Sequence, residues 1–264
     1  MAQNRILQLL NDNRGRREGL RVQAQAGASE VTVYLYDAIV TDDWWGGISA
    51  QSFVRALAEI TADVIHLRIN CPGGDVFAAR AMETAIRGHS AKVIAHIDGV
   101  AASAASFVML AADEVEISEG AFVMIHKGWA LAMGNADELK EMAGLLDAVD
   151  ATLVRTYAKE TGQDESDVLA WMAAETWFSA DEAVEKGFAD RIAGDAPAAN
   201  AAAWNLAAYS NAPPASPQRE AQSDRAPTPT PSPEARRVDQ SRDVVKAVPD
   251  LAAMRRRLDL AQRT

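Results

Sequence analysis

Asp98-Gly99-Val100-Ala101-Ala102-Ser103-Ala104-Ala105-Ser106 joins two apolar runs near the middle of the chain. The run before it, residues 93–97, predicts a buried strand, and the run after it, residues 107–112, predicts a buried helix. Gly99 permits a tight turn between the two elements. We therefore expect Ser103 near a helix N-terminus, where free N–H groups and the helix dipole favour negative charge. This setting suits a serine nucleophile, although close helix packing also selects small residues.

The composition is typical of a globular protein with an uneven charge distribution. Of the 264 residues, 48% are hydrophobic, and the formal net charge is −11. The acidic excess lies before residue 218, which argues against nucleic-acid binding, whereas the end of the chain is basic. The single cysteine, Cys71, excludes an intrachain disulfide and favours a reducing compartment. Since membrane-spanning, metal-ligand and phosphate-binding patterns are all absent from the sequence, we expect a cytoplasmic protein without metal, cofactor or membrane partner.

Strand and helix patterns alternate from residue 31 to residue 192, which predicts βαβ units and a mostly parallel sheet. Three loops follow predicted strands: residues 70–74, 98–103 and 126–127. Ligand sites in such sheets lie at the carboxyl ends of the strands. We therefore expect a glycine turn, a serine and a histidine to meet at one edge.

Ser103 and His126 are the candidate nucleophile and base of a serine hydrolase. His126 follows an apolar strand and opens a polar loop, so its ring is expected at the sheet edge. Ser106 lies one turn deeper in the predicted helix and is expected to pack. The expected oxyanion donors are the backbone N–H groups of Gly74 and Ala104. The remaining histidines are expected to be structural: His66, His89 and His96.

The acid that would orient the histidine is left open by spacing alone. The candidates lie on the long predicted helix or downstream of it, and most are expected to be surface charges or helix caps. They are Asp147, Asp150, Glu175, Asp181 and Asp190.

Four sequence blocks occur in an order and spacing found together in one enzyme family. They are residues 69–74 (Ile-Asn-Cys-Pro-Gly-Gly), 99–104 (Gly-Val-Ala-Ala-Ser-Ala), 124–126 (Met-Ile-His) and 178–190, which begins Phe-Ser-Ala-Asp-Glu. Through them, residues 31–193 resemble the ClpP-type serine peptidases, the proteolytic subunits of Clp protease and their phage and prophage relatives. The resemblance implies an α/β fold, a ClpP/crotonase-like spiral of ββα units, and subunits that assemble into homo-oligomeric rings.

The resemblance also implies roles for individual residues. Ser103 corresponds to the nucleophile, His126 to the base, and Gly74 and Ala104 to the oxyanion amides. The aligned acid is Glu175, where the family has aspartate. A second departure is a cysteine at position 71, where serine is common, so a bulky thiol reagent is expected to slow the enzyme.

Features outside the four blocks resemble the phage head maturation branch. They are Trp44-Trp45-Gly46-Gly47-Ile48-Ser49-Ala50, Glu175-Thr176-Trp177-Phe178 and a Pro-rich C-terminal extension. The implied function is a serine endopeptidase that cleaves capsid or scaffold proteins during phage or prophage head maturation. The alternatives are a degradative subunit that works with a separate Clp ATPase, and an inactive protease-fold scaffolding protein.

The expected domain organisation has four parts. Residues 1–29 form an N-terminal arm and residues 30–194 the ClpP-like peptidase domain. Residues 195–248 form a Pro-rich disordered linker, and residues 249–264 form a basic amphipathic helix.

Overall fold

A computed structural model describes residues 5–13, 19–24, 29–42, 46–194 and 204–213. The chain divides into two compact units, Met1–Arg219 and Glu220–Thr264, and every described residue belongs to the first. The predicted basic helix, residues 249–264, lies outside the described residues, as does the predicted linker apart from residues 204–213.

The fold is mixed α/β, with helices packed on a mainly parallel sheet. The strands of the described residues are β1 (Arg21–Ala24), β2 (Glu30–Leu35), β3 (Ile39–Val40), β4 (Ile48–Ser49), β5 (Val64–Cys71), β6 (Lys92–Ala102), β7 (Glu114–Ile117), β8 (Phe122–Ile125), β9 (Thr176–Phe178) and β10 (Arg191–Ile192). The helices are α1 (Arg5–Asp12), α2 (Ala50–Ala58), α3 (Val76–Arg87), α4 (Ala104–Met109), α5 (Ala136–Thr161), α6 (Glu165–Ala174) and α7 (Ala180–Glu185). No helix within the described residues has the length and apolar composition needed to cross a membrane.

The main sheet has the order β1-β2-β5-β6-β7-β10, and β8 and β9 extend it from the far end of β6. Strands β2, β5, β6, β7 and β10 are parallel to one another, which confirms the predicted mostly parallel sheet. The pairs β1–β2 and β8–β9 are antiparallel. Strand β1 lies within the segment expected to be an N-terminal arm, and it forms the edge of the sheet by pairing with β2.

Strand β6 is longer than the sequence predicts. The expected turn at Gly99 is wrong, because β6 continues through it to Ala102. The first half of β6 pairs with β7, whereas residues 100–102 pair with β8. The new partner keeps the backbone extended, so the turn comes at Ser103 and helix α4 begins at Ala104 rather than near residue 107.

Helix starts follow the local sequence closely. Ser49 caps α2 and Asp75 caps α3, each accepting a backbone N–H three residues on. Ser179 starts α7 with a capping box, in which Glu182 reaches back to the Ser179 N–H. The cap at Asp75 fixes the chain direction directly after Gly73 and Gly74.

The core lies between the sheet and helices α3, α4 and α5. Alternate residues of β5, Ile65, Leu67 and Ile69, are fully buried on one face. All six residues of α4 are buried, so the segment that begins at Ser103 is anchored in the core. Such packing keeps local backbone geometry fixed, because a shift of α4 would open voids in a close-packed interior.

Polar side chains on the other sheet face hold the middle of β6. The Asp98 carboxylate is fully buried and accepts hydrogen bonds from Arg68 and from the Tyr36 hydroxyl. His66 Nδ1 and His96 Nε2 lie 2.9 Å apart on adjacent strands, which agrees with their predicted structural role. Together these contacts hold in register the strand that leads to Ser103.

Candidate active site

Ser103 lies at the junction of β6 and α4 in a strained backbone conformation. Its φ of 53° and ψ of −122° lie outside the regions that non-glycine residues favour. Three hydrogen bonds hold it there. Its N–H donates to the Met124 carbonyl at 2.8 Å, and its carbonyl accepts from the Ser106 N–H at 3.0 Å and the Ser106 Oγ at 2.6 Å. The surrounding structure therefore imposes a sharp strand-to-helix turn with a serine at its tip.

His126 directly follows β8, the strand that pairs with the end of β6. Its Nε2 lies 2.7 Å from the Ser103 Oγ, within hydrogen-bond distance. The structure thus brings together at one sheet edge the serine and the histidine that strand order predicts there.

The surroundings of His126 favour its neutral form. Burial lowers its pKa from 6.5 to about 4, and the positive charge of Arg5 lowers it as well. A hydrogen bond with the Lys127 backbone acts in the opposite direction. At neutral pH the imidazole is therefore unprotonated and able to accept the Ser103 proton.

The shifted pKa of His126 predicts a pH-dependent stability. Below pH 6.5 the unfolded chain binds a proton at this residue, whereas the folded chain binds it only near pH 4. Stability should therefore fall between pH 6.5 and pH 4, by about 3 kcal/mol more in the native sequence than in His126→Gln. Urea unfolding over this pH range measures the difference. Parallel curves for the two proteins would contradict it.

The turn at residues 73–74 lies beside the serine. Its conformation requires glycine, since φ is +96° at Gly73 and +147° at Gly74. A Cβ on Gly73 would approach the Ser103 Cβ to 2.6 Å. Strand β3 holds the turn from the other side, because the Ile39 N–H donates to the Gly73 carbonyl and the Ile39 carbonyl accepts from the Asp75 N–H.

Two backbone N–H groups beside Ser103 take no part in the hydrogen bonds between β3 and the glycine turn. The bridge between Ile39 and Gly74 uses the groups of residues 73 and 75, so the Gly74 N–H takes no part in it. Ala104 is the first residue of α4, so its N–H has no acceptor inside the helix. Gly74 and Ala104 are the two residues whose N–H groups the sequence predicts as oxyanion donors.

Glu175 is not hydrogen-bonded to His126. It caps the C-terminus of α6 in the left-handed region, with φ 52° and ψ 70°. Its carboxylate accepts the Asn211 N–H at 2.7 Å and lies 3.4 Å from the Arg5 guanidinium. Within residues 5–13, 19–24, 29–42, 46–194 and 204–213, no carboxylate is hydrogen-bonded to His126.

The β8–β9 ladder ends next to both residues. These strands are antiparallel, with Met124 opposite Trp177 and Ile125 opposite Thr176, so His126 directly follows β8 and Glu175 directly precedes β9. This register is not kept beyond the ladder, because Glu175 has a left-handed backbone and the Lys127 N–H donates to the Met172 carbonyl at 3.1 Å.

The other candidate acids have different partners or surroundings. Asp150 accepts the Gly128 N–H at 2.7 Å, and burial raises its pKa. Asp190 accepts the Val115 N–H at 2.7 Å and so fixes the last turn before β10. Asp147 and Asp181 are exposed on α5 and α7.

Comparison with known proteins agrees with this geometry. The model of the Clp protease family matches residues 27–196, which is more than half of the chain. The chain belongs to the Clp protease family.

Similar proteins are named as Clp proteolytic subunits. The ATP-dependent Clp protease proteolytic subunit of Deinococcus radiodurans is 32% identical over 130 residues, which cover 48% of this chain and 64% of that protein. Proteolytic subunit 2 of Treponema denticola is 33% identical over 131 residues, or 49% and 66% of the two chains. Proteolytic subunit 2 of Mycolicibacterium paratuberculosis is 28% identical over 155 residues, or 58% and 77%. This chain therefore spans just under two thirds of the first two relatives.

Two segments outside the Clp protease family match lie on the candidate site, and the sequence reasoning missed both. They are α1 and residues 204–213. Leu9 and Tyr209 from these segments line a cavity of about 190 Å³ together with Ser103 and His126. The available signal was weak: Trp204 and Tyr209 are aromatic residues in a stretch otherwise rich in alanine and proline.

Cys71 is inaccessible in this member of the Clp protease family. The side chain is fully buried, and burial raises the pKa of its thiol to about 12. The expectation that a bulky thiol reagent slows the enzyme is therefore wrong for the native fold, because the reagent cannot reach the sulfur.

We predict that N-ethylmaleimide leaves Cys71 unmodified in buffer and modifies it fully in denaturant, since only unfolding exposes the thiol. Intact-protein mass spectrometry measures both states. Rapid and complete modification of the native protein would contradict the burial.

Proposed function

We propose that this protein is a serine endopeptidase with Ser103 as nucleophile and His126 as general base. The observation that carries the proposal is the 2.7 Å contact between His126 Nε2 and Ser103 Oγ at the tip of a strained strand-to-helix turn. Membership of the Clp protease family supports it.

The proposed reaction has two halves. Ser103 Oγ attacks the scissile carbonyl carbon while its proton passes to His126 Nε2. The resulting oxyanion accepts hydrogen bonds from the N–H groups of Gly74 and Ala104. The imidazolium then protonates the leaving amine, which departs and leaves an acyl ester on Ser103. A water molecule, deprotonated by the same histidine, hydrolyses that ester.

Glu175 is the proposed acid of this triad. Its alignment with the acid of the resembling family and its place directly before β9, next to the last pair of the β8–β9 ladder, support the assignment. A carboxylate there would hold the imidazole in the productive tautomer and stabilise the imidazolium.

The apolar cavity beside the serine supports a preference for peptide bonds that follow an apolar residue. Val76, Phe107 and Leu153 contribute to its walls. We also propose the finer features implied by the resemblance: a ββα spiral, a peptidase domain over residues 30–194, and a homo-oligomeric ring. Exposed leucines on α5, Leu139 and Leu145, support assembly through this helix.

For the biological role we propose cleavage of capsid or scaffold proteins during phage or prophage head maturation. The two tryptophan-containing motifs and the Pro-rich extension support this branch. Co-expression with a phage capsid protein and its scaffold, followed by mass spectrometry, tests it. Defined fragments are expected with the native chain and none with Ser103→Ala. Identical fragments from both proteins would refute the assignment.

The second candidate is a degradative subunit that works with a separate Clp ATPase. The names of the relatives favour it, since each is called ATP-dependent. Addition of a Clp ATPase and ATP to the purified protein with an unfolded substrate distinguishes the two. Nucleotide-dependent degradation to short peptides supports this candidate, whereas nucleotide-independent cleavage at few sites supports head maturation.

The third candidate is an inactive scaffolding protein with a protease fold. A fluorophosphonate probe tests for it, because the probe labels only an activated serine. Labelling at Ser103 would exclude this candidate.

A further inference from the structure

Residues 204–213, here called the C-terminal strap, lie across the candidate active site. The Trp204 indole N–H donates to the Asn70 carbonyl at 2.9 Å, and the Tyr209 hydroxyl donates to the Pro72 carbonyl. Tyr209 is 5% exposed, and its ring centroid lies 5.7 Å from that of His126. The strap therefore anchors on the glycine turn and covers the catalytic base.

Helix α1 and Asn13, the residue that follows it, hold the strap in place. Asn13 Nδ2 donates to the Asn205 carbonyl at 2.9 Å, and Asn13 Oδ1 accepts the Asn205 N–H at 2.7 Å. The Arg5 guanidinium donates to Ser210 Oγ at 2.8 Å. One side chain thus satisfies both backbone groups of Asn205, as a neighbouring strand would.

The strap also engages the proposed acid. Glu175 accepts the Asn211 N–H through one carboxylate oxygen and faces Arg5 through the other. Asn211 Nδ2 further donates to the Ala174 carbonyl at 2.7 Å. With both oxygens engaged, the carboxylate makes no hydrogen bond to His126, although the two residues lie directly beyond the last pair of the β8–β9 ladder.

The strap has three effects on the candidate active site. The strap covers the base, occupies the acid and fills part of the cleft beside the nucleophile. Arg5 adds a positive charge that disfavours the imidazolium formed during acylation. Each effect opposes the reaction proposed above, and each depends on contacts made by the strap or α1.

We propose that the C-terminal strap, clamped by α1, is an internal inhibitor of the peptidase site, and that its displacement frees Glu175 to contact His126 and opens the cleft to a peptide. The proposal rests on the proposed peptidase function. It explains why the nucleophile and base are in contact while the acid is not.

The inhibitor role predicts a change at His126. The groups that face its ring are Ser103, Trp129, Tyr209 of the strap and the charge of Arg5, besides the Lys127 backbone. Displacement of the strap exposes part of the His126 ring, and it brings the Glu175 carboxylate to the ring in place of the Arg5 charge. The pKa of His126 should then rise from about 4 towards 6.5 or above.

The test compares full-length variants by the rate of fluorophosphonate labelling at Ser103. Tyr209→Ala removes the anchor and is expected to label at least tenfold faster than the native chain. Asn13→Ala removes the clamp without touching the cleft and is expected to label several-fold faster. Tyr34→Ala, which removes an equal ring from strand β2, serves as the control and is expected to leave the rate unchanged.

A second readout does not depend on activity. Titration of the His126 ring by NMR in Tyr209→Ala should show the raised pKa. Equal labelling rates and an unchanged titration would overturn the inhibitor role and leave the peptidase proposal standing. Absence of labelling in the native chain and in every variant would overturn the proposed function, and with it the inhibitor role that rests on it.

Discussion

Ser103→Ala is expected to lower peptide hydrolysis by a factor on the order of 10⁴ or more, because the variant lacks the oxygen that attacks the carbonyl. Helix α4 should remain in place, since its six residues are buried and alanine retains the Cβ. Initial rates on an unstructured protein substrate measure the loss, and circular dichroism verifies the fold. Hydrolysis at the native rate by a folded Ser103→Ala protein would exclude the proposed nucleophile.

Ser106→Ala is the matched control for this experiment. Ser106 is buried in α4, where its Oγ lies 2.6 Å from both the Ser103 carbonyl and the Tyr157 hydroxyl. Its removal leaves the Tyr157 hydroxyl without this partner and should reduce stability by about 1–2 kcal/mol. Activity should persist at a temperature where the protein is folded, because Ser106 does not contact the substrate in the proposed reaction.

Gly74→Ala is expected to have the second-largest effect. A Cβ at this position would lie 1.9 Å from the Ile39 carbonyl oxygen, and the φ of +147° is itself unfavourable for alanine. The turn must therefore move away from β3, and the proposed oxyanion N–H moves with it. Loss of one such donor lowers kcat by about 10²- to 10³-fold. We expect a loss of at least this size, together with a lower melting temperature.

Gly120→Ala separates the clash from the backbone strain. Gly120 also has a positive φ, +81°, but nothing lies within 4 Å of its Cβ position. This variant therefore carries a similar conformational cost in open space, far along the chain from the glycine turn. If it reduced kcat as much as Gly74→Ala, the effect would come from general destabilisation and the oxyanion assignment of Gly74 would fail.

The meeting of Ser103 and His126 was predictable because it depends on strand order alone. Parallel strands bring their carboxyl ends to one edge, so a residue that follows each strand lies near the others. The cap at Ser179 was predictable for a similar reason, since the Ser–Glu pair acts within one turn. Both inferences use interactions between residues whose relative positions the local pattern defines.

The predicted turn at Gly99 shows where such patterns mislead. Glycine permits a turn but does not require one, and the backbone at Gly99 is held extended by pairing on both sides of it. The sequence pattern around Cys71 was misleading in the same way. Its place beside the glycine turn suggested reactivity, whereas its burial, set by the packing of β5 against its neighbours, makes the thiol inert.

By itself, the sequence determined the mixed α/β fold, the family and the pairing of a serine with a histidine. These follow from periodicity, from turn residues and from motifs that each act over a few residues. Only the tertiary structure decided the environment of Glu175 and the cover over the site. Arg5 and Glu175 are 170 positions apart, and Asn13 and Asn205 are 192 apart. No local pattern encodes contacts over such separations, because they exist only once the sheet has brought both ends of the domain to one edge.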